Sequence, residues 1–317
     1  MGEIRFESAA VIGTGMMGPG IAVTLALGGL RVAIVSRTQD GAVAGLEKAS
    51  EQVRLLEENA LLTSDRVEQL RDTLSATANF DETVAGADLV VESGPENMEF
   101  KQELFKRMES LVPPSSVLAS NTSSLSITAV ASKCRHPERV LTTHFWNPPH
   151  LMPLVEIVKG EQTPDEVARA VRDLLAACGK VPVMVRKDRP GQLGNRLQMA
   201  LWREAVNIVQ EGIADAADVD LAAKLGFGIR LPVYGIFEHA DAVGLDMVHG
   251  IMDYTAKDLY NQPQAPPLMK ELVARRDLGV KTGRGFYDWS KKDIKAVLKL
   301  RDRFVLEFLK SEFGHSR

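Results

Sequence analysis

The chain has 317 residues, of which 45% are hydrophobic and 25% are charged, and its 38 basic and 42 acidic residues give a net charge of −4. A chain of this length predicts two domains and a core that needs neither a disulfide nor a metal for support. The balanced charge argues against nucleic acid and anionic membrane surfaces as partners.

The same sequence features predict a cytoplasmic protein. The two cysteines, Cys134 and Cys178, lie in unrelated surroundings and indicate neither a disulfide framework nor a metal site. The chain runs from its start directly into a strand pattern, so we predict no targeting segment. The most apolar stretch, residues 21–35, is too short and too interrupted by glycine and arginine to cross a bilayer.

The first 186 residues alternate short β-branched runs with helical patterns, which predicts a parallel sheet flanked by helices. A capping box at Thr163-Pro164-Asp165-Glu166 predicts the start of a helix that ends near Gly179. The predicted strands are Ala9–Ile12, Arg31–Val35, Leu89–Val91, Ser116–Ala119, Val140–Thr143 and Pro182–Val185.

The strand signal ends at Pro190-Gly191, which predicts the domain boundary. Residues 193–210 have a helical period, and Asp215 is predicted to cap a further helix that ends at Gly226. We therefore predict a dinucleotide-binding domain over residues 1–188 and an all-α domain over residues 189–317. Residues 290–317 are charged and helical in period, with no role that the pattern reveals.

A glycine-rich segment, Gly13-Thr14-Gly15-Met16-Met17-Gly18, follows the first predicted strand and opens a helix. Gly13 permits a tight turn, Gly15 lets the backbone approach a pyrophosphate, and Gly18 allows close packing of helix and strand. The free amides of the new helix would face the phosphates. In this setting the segment predicts a Rossmann-type domain that binds NAD or NADP.

The end of the second strand bears on the choice between the two nucleotides. A carboxylate that binds the adenosine ribose is expected there, but the chain has Ser36-Arg37. A hydroxyl beside a guanidinium can hold a 2′-phosphate, which an acid would repel. We therefore favour NADP over NAD; the alternative is that Arg37 is an ordinary solvated arginine.

Two segments after later strands carry the residues of a hydride-transfer reaction. One is the serine-rich run 120–125, and the other leads from His144 to Glu156. Oxidation of an alcohol needs a base for the hydroxyl proton, and histidine is the side chain best matched to neutral pH. A carboxylate such as Glu156 would fix the tautomer of the imidazole. The pattern predicts a dehydrogenase.

On these motifs the chain resembles the L-3-hydroxyacyl-CoA dehydrogenase family over nearly its whole length. The resemblance implies a Rossmann domain followed by a helical domain that forms a homodimer. The matching segments are Gly13 to Gly18, Val90 to Asn97 with Lys101, Ser120 to Ser124, His144 to Glu156, Pro190-Gly191 with Asn195-Arg196, and Lys281 to Tyr287.

The resemblance also implies roles for individual residues. His144 would be the general base and Glu156 its orienting partner, while Ser123 and Asn195 would contact the substrate and position the nicotinamide. For Ser123 alone the alternative is a helix cap, and for Asn195 a buried amide that bonds the backbone. The expected cofactor-binding residues are Gly13, Gly15, Met16, Met17, Gly18, Ser36, Arg37, Glu96, Lys101 and Asn121, and the expected substrate-binding residues are Ser123, Asn147, Asn195 and Arg230.

Departures from the family pattern bear on the substrate. The CoA-using members carry a lysine-rich stretch toward the nucleotide phosphates, where this chain has Glu57-Glu58. The segments 147–150 and 226–230 look more like the branch that acts on free hydroxy acids, which includes lambda-crystallin/L-gulonate dehydrogenase and a formyl-pyridine-carboxylate dehydrogenase. Arg230 stands in an apolar stretch and is predicted to anchor a substrate carboxylate; an ion pair with Glu238 or Asp241 is the alternative.

We therefore predict an NAD(P)-dependent dehydrogenase of a carboxylate-bearing hydroxy acid or its carbonyl form, with no metal. Two alternatives remain open at this point. One is a true 3-hydroxyacyl-CoA dehydrogenase, and the other is a non-catalytic structural or binding protein of the crystallin type.

Overall fold

The computed structural model describes residues 4–313, so residues 1–3 and 314–317, including the end of the predicted segment 290–317, lie outside the described part. By its contacts the chain divides into two units. The first holds residues 4–196 together with 301–313, and the second holds residues 197–300. The predicted boundary between residues 188 and 189 falls in the loop before this division.

The first unit is built on an eight-stranded sheet. Its spatial order is β3-β2-β1-β4-β5-β6-β7-β8, so the first six positions follow the order typical of dinucleotide-binding folds. The strands are β1 (Ser8–Ile12), β2 (Arg31–Val35), β3 (Leu74–Thr77), β4 (Leu89–Glu92), β5 (Val117–Ser120), β6 (Val140–Phe145), β7 (Leu154–Lys159) and β8 (Val181–Val185).

The predicted Rossmann-type fold is confirmed, with one correction to the direction of its strands. The sheet is mixed, because β6 and β7 pair antiparallel while every other neighbouring pair is parallel. The sequence prediction missed β3, which is short and half-buried, and β7, whose apolar run is interrupted by Glu156. Ser116 lies just before β5 and not within it.

Helices cover both faces of the sheet. They are α1 (Gly18–Leu27), α2 (Gln39–Glu58), α3 (Ser64–Thr73), α4 (Phe80–Ala85), α5 (Met98–Leu111), α6 (Ile127–Val130) and α7 (Asp165–Ala177), with 3₁₀ turns at Ala131–Lys133 and Pro137–Arg139. Side chains of one strand alternate between the faces. Val11 packs with Ile21 of α1, whereas Ala10 belongs to the cluster that contains Phe105 and Met108 of α5.

The second unit is helical, as predicted. It contains most of α8 (Gly194–Gln210), then α9 (Ala216–Leu221), a π-helical turn (Ala222–Phe227), a 3₁₀ turn (Gly228–Arg230), α10 (Ile236–Val243), α11 (Leu245–Thr255), α12 (Pro267–Ala274) and the start of α13 (Ile294–Phe313). The later residues of α13 belong to the first unit, where Leu306 and Leu309 join the core. No helix among the described residues has the length and apolar character needed to span a membrane.

One predicted helix cap is wrong, and a second is right in its position but makes no side-chain hydrogen bond. The helix after residue 163 starts at Asp165, but the Thr163 hydroxyl donates to the carbonyl of Val140 at 2.6 Å and does not cap it. Asp215 occupies the N-cap position of α9 without a side-chain hydrogen bond. The Thr163 hydroxyl also accepts from the amide of Gly160 at 3.0 Å, so its hydrogen bonds go to the preceding loop and to β6 and not to the start of the helix.

Candidate active site

A crevice opens at the carboxyl ends of β1 and β4, where the order of the strands reverses along the chain. Ligands of open α/β sheets bind at such a switch point. A cavity of about 1060 Å³ lies here. Four of the residues that we predicted to bind the cofactor line it: Gly13, Gly15, Ser36 and Arg37.

The glycine-rich segment makes the close approach that its pattern predicts. A Cβ atom on Gly18 would lie 1.9 Å from the carbonyl oxygen of Gly13, so only glycine lets α1 start this close to β1. A Cβ atom on Gly15 would meet nothing within 4 Å, which leaves that part of the loop open. Met17 packs against the core, whereas Met16 is 73% exposed.

The end of β2 brings hydroxyl groups and an arginine together at the same cavity. A Cβ atom on Gly41 would lie 2.3 Å from Ser36 Oγ and 3.0 Å from Thr38 Oγ1, so the two hydroxyls converge at the start of α2. The guanidinium of Arg37 makes no hydrogen bond or ion pair with any described residue. These groups form a cationic, hydrogen-bonding corner without a carboxylate at the Ser36 position.

His144 and Glu156 face each other across the antiparallel pair β6 and β7, where they are direct register partners. His144 Nδ1 lies 2.5 Å from Glu156 Oε2. Because an ionised carboxylate can only accept, Nδ1 carries the proton of this hydrogen bond. Nε2 makes no hydrogen bond within residues 4–313, so the imidazole can accept a proton there.

The Glu156 carboxylate is fully buried, and both of its oxygens accept hydrogen bonds. Its Oε1 accepts hydrogen bonds from the amides of Leu193 at 3.1 Å and Gly194 at 2.6 Å. Burial alone would raise the pKa of Glu156, but the hydrogen bond from His144, the two amides and the charge of His144 outweigh it and hold the pKa below its usual value. The carboxylate is therefore ionised at neutral pH and can accept the Nδ1–H hydrogen bond of His144.

The serine loop, residues 120–125, is fixed from one side by Glu96. Glu96 Oε1 accepts from Thr122 Oγ1 at 2.6 Å, from the amides of Ser123 and Ser124 at 3.1 Å each, and from Ser124 Oγ at 2.9 Å. Burial acts to raise the pKa of Glu96, but these hydrogen bonds and the charge of Lys101 lower it overall. Ser123 caps no helix, since the N-cap of α6 is Ser126.

Asn195 reaches the same loop from the other side. Its Nδ2 donates to the backbone carbonyl of Ser123 at 3.0 Å. The structure thus holds two hydrogen-bonded pairs, His144–Glu156 and Asn195–Ser123, in the first unit, and the backbone of residues 193–195 joins them. The contact that Asn195 makes is the backbone bond that we considered as the alternative to a role in binding.

Two predicted cofactor residues are engaged within the protein. Lys101 is 1% exposed, and its Nζ lies 2.6 Å from Glu92 Oε1 and 3.6 Å from Glu96 Oε2, so it lies behind the crevice and not along it. Asn121 Oδ1 accepts from the amide of Phe145 at 2.9 Å. Lys101 joins α5 to the end of β4, whereas Asn121 joins the ends of β5 and β6. The burial of Lys101 corrects the expectation that it lies along the cofactor.

The remaining predicted residues lie in two places. Asn147 is exposed two residues after the end of β6, and its Nδ2 lies 3.2 Å from the sulfur of Met16. Arg230 is exposed in the second unit, where its guanidinium pairs with no described residue. Glu238, the alternative partner, instead accepts a hydrogen bond from the amide of Gly235 at 2.7 Å.

The sequence analysis did not identify Glu92, whose carboxylate accepts several hydrogen bonds next to the serine loop. Its carboxylate is fully buried and accepts from Lys101, from the Gly94 amide at 2.6 Å and from Ser120 Oγ at 2.6 Å. The signal was present, since an acid closes the apolar run Leu89-Val90-Val91 at the carboxyl end of a strand. Among the described residues no group of three or more acidic, histidine or cysteine side chains could hold a metal ion.

Comparison with known proteins covers both units. Residues 8–189 match the model of the 3-hydroxyacyl-CoA dehydrogenase NAD binding domain, and residues 191–289 match that of the C-terminal domain. A probable 3-hydroxybutyryl-CoA dehydrogenase of Bacillus subtilis is 37% identical over 290 residues, which are 91% of this chain and 99% of that protein.

A second kind of relative acts on a different substrate. The 5-formyl-3-hydroxy-2-methylpyridine 4-carboxylate 5-dehydrogenase of Mesorhizobium japonicum is 35% identical over 302 residues, covering 94% of this chain and 95% of that protein. A crystal structure of the enzyme of this name, described as an NAD+ dependent dismutase, matches with a TM-score of 0.90 at 31% identity over 96% of this chain and 98% of that one. The chain therefore belongs to the 3-hydroxyacyl-CoA dehydrogenase family and is an NAD-binding dehydrogenase.

Proposed function

We propose that the protein interconverts an alcohol and its carbonyl form on a small substrate with a free carboxylate, and that it prefers NADP. The observation that carries the reaction is the buried His144–Glu156 pair beside a dinucleotide crevice. The intact pair also argues against a purely structural, crystallin-like role, because burying a carboxylate such as that of Glu156 is costly unless the site uses it.

The residues of the chain divide the chemistry as follows. When bound, the nicotinamide supplies the acceptor for the hydride that leaves the alcohol carbon. His144 Nε2 takes the hydroxyl proton, and Glu156 stabilises the imidazolium that forms. Ser123 and Asn195 would orient the substrate oxygen and the nicotinamide, and Asn147 would contact the substrate. The open face at Gly15 and the cavity beside it fit the pyrophosphate of such a cofactor.

The preference for NADP rests on the corner formed by Ser36, Arg37 and Thr38. An unpaired guanidinium next to two hydroxyls offers charge-assisted hydrogen bonds to a 2′-phosphate. No acid stands at Ser36 to repel that phosphate or to bind a ribose diol. The related pyridine-carboxylate enzyme is described as NAD+ dependent, so this chain would differ from it in nucleotide choice.

The free carboxylate of the substrate would pair with Arg230. An exposed arginine in an apolar stretch, without an acidic partner in the described part of the chain, is suited to bidentate recognition of an anion. The acidic end of α2, with Glu57 and Glu58, disfavours a nucleotide phosphate of CoA at that position. The alternative, a 3-hydroxyacyl-CoA substrate, is supported by relatives of similar identity.

We further propose that the second unit mediates a homodimer. Large apolar side chains are exposed along it, which is unusual for a surface that faces only water. The most exposed are Val233 at 85%, Phe237 at 84% and Tyr254 at 83%. Light scattering would then give twice the chain mass of 34.7 kDa, and the monomer mass would contradict the proposal.

The free thiols of Cys134 and Cys178 are consistent with a protein that acts in the reducing cytoplasm.

The experiment that tests the substrate proposal is a panel of matched compounds. Each free hydroxy acid, and each aromatic carboxylate with an alcohol or aldehyde group, is assayed beside its neutral analogue, and 3-hydroxyacyl-CoA esters form the third arm. All are run with both nicotinamides. We expect turnover of free acids with NADP. Turnover of CoA esters alone would establish the alternative, and no turnover in any arm would refute the proposal.

A further inference from the structure

A single turn touches both halves of the proposed active site. This segment, called here the linker turn, is residues 191–195 and consists of the turn 191–193 after the last strand of the sheet and the first two residues of α8. Two of its amides, those of Leu193 and Gly194, donate to Glu156 Oε1. Two of its side chains hold consecutive carbonyls of the serine loop, with Asn195 on Ser123 and Gln192 on Thr122. The linker turn therefore connects the His144–Glu156 pair to the serine loop.

Gln192 adopts a backbone conformation that glycine usually supplies. Its φ is +51°, directly after Gly191 at +75°, and the side chain is 4% exposed. A residue with a side chain is strained in this left-handed region, and such strain persists only where the surroundings determine it, often at functional sites. The amides that follow this reversal of the chain are those that point to Glu156.

Only one of the two polar groups in the Gln192 side chain has a hydrogen-bond partner. Its Nε2 donates to the carbonyl of Thr122 at 2.7 Å, a short bond inside the protein. Its Oε1 is buried and has no hydrogen-bond partner among the described residues. A buried amide oxygen without a partner is unfavourable, and an apolar side chain of the same length would avoid that cost. Only the bond from Nε2 to Thr122 offsets this cost, so what glutamine contributes at this position is its contact with the serine loop.

The side chain of Trp146 packs between the linker turn and His144. A Cβ atom on Gly194 would lie 2.4 Å from Trp146 Cζ2, so the absence of a side chain lets this amide approach Glu156. The ring of Trp146 lies 5.5 Å from that of His144. The turn is thus confined between the indole on one side and the serine loop on the other, and Gln192 provides its bond to that loop.

We propose that Gln192 is a positioning residue, which fixes the distance between the His144–Glu156 pair and the serine loop through its left-handed backbone and its bond to Thr122. It acts through Glu156 and Thr122 and contacts no reacting atom. The proposal rests on the proposed function for its effect on turnover. Its effect on the geometry of the turn is independent of any substrate.

The test compares Gln192→Met and Gln192→Gly with a matched control. Methionine keeps the length and backbone geometry but removes both the donor and the unpartnered oxygen, while glycine keeps the left-handed backbone without a side chain. The control is Gln52→Met on α2, because Gln52 Oε1 is likewise buried without a partner in the described chain. The readouts are kcat, KM, cofactor affinity, melting temperature and amide hydrogen exchange at residues 193 and 194.

For both Gln192 variants we expect kcat to fall by roughly tenfold to a hundredfold, because small misplacements of catalytic groups lower the rate by such factors. Cofactor affinity should stay at the wild-type value in both variants, and exchange at residues 193 and 194 should become faster. The melting temperature of Gln192→Met should stay near the wild-type value, whereas Gln192→Gly, which leaves a cavity, should melt at a lower temperature. Wild-type kcat in Gln192→Met, or an equal loss in Gln52→Met, would overturn the proposal. If the wild-type chain turns over no substrate, the proposed function fails, and exchange alone decides: unchanged exchange refutes positioning by Gln192.

Discussion

At the scale of single residues, the corner at the end of β2 makes the nucleotide preference directly testable. Arg37→Ala removes a charge-assisted contact worth roughly 1.5–3 kcal/mol, so the Kd for NADP should rise by about one to two orders of magnitude while that for NAD changes little. Titration of both nucleotides checks this, with Arg54→Ala on the exposed face of α2 as a control. Tighter binding of NAD in the wild type, with Arg37→Ala indifferent, would show that the corner holds no phosphate.

Arg230 carries the prediction about the substrate. Arg230→Met keeps much of the side-chain volume and removes the guanidinium, so KM for a carboxylate substrate should rise by about one to two orders of magnitude for a lost charged hydrogen bond of roughly 1.5–3 kcal/mol. A neutral analogue of the same shape should be affected little. Equal losses on both compounds would mean that Arg230 has a structural role.

At the scale of secondary-structure elements, the antiparallel pair of β6 and β7 holds Glu156 opposite His144. Glu156→Gln keeps the shape of the side chain but cannot carry the charge that stabilises the imidazolium. We expect kcat to fall by roughly tenfold to a thousandfold, which is less than removal of the base itself, while the fold persists. Steady-state rates and circular dichroism check this. An unchanged kcat would contradict the assignment of Glu156 as the orienting partner.

The elements show where prediction from sequence succeeds and where it stops. All six predicted strands exist, and the fully buried ones, such as β4, leave continuous apolar runs in the sequence, here Leu89-Val90-Val91. Strand β7 was missed because Glu156, the residue that matters most for its function, breaks the apolar run. The roles of Glu92 and Gln192 depend on contacts with residues 28 and 70 positions away, which no local pattern contains.

At the scale of the whole molecule, the buried His150 predicts how stability depends on pH. Neither of its ring nitrogens has a partner among the described residues. Burial, and then the charge of Lys180, lowers the pKa of His150 to about 4, although Asp302 acts in the opposite direction. The unfolded chain binds this proton near pH 6.5. Between these values only the unfolded state is protonated, so stability falls as the pH is lowered from 6.5 to 4.

His150→Gln should remove that part of the dependence, which amounts to at most about 1.4 kcal/mol per pH unit. Denaturant unfolding at fixed protein concentration, repeated from pH 7 to pH 4, measures it. We expect the wild-type free energy of unfolding to decline more steeply than that of the variant over this interval. Parallel curves would show that His150 becomes protonated in the folded protein as readily as in the unfolded chain.

The central claim, a dehydrogenase whose base is His144, is tested most directly by single-turnover hydride transfer in His144→Gln. The measurement follows nicotinamide absorbance after mixing enzyme, cofactor and the best substrate of the panel at neutral pH, with cofactor affinity determined separately. The account predicts a rate lower by about two to four orders of magnitude with cofactor binding nearly intact. A near-normal rate in His144→Gln would contradict it.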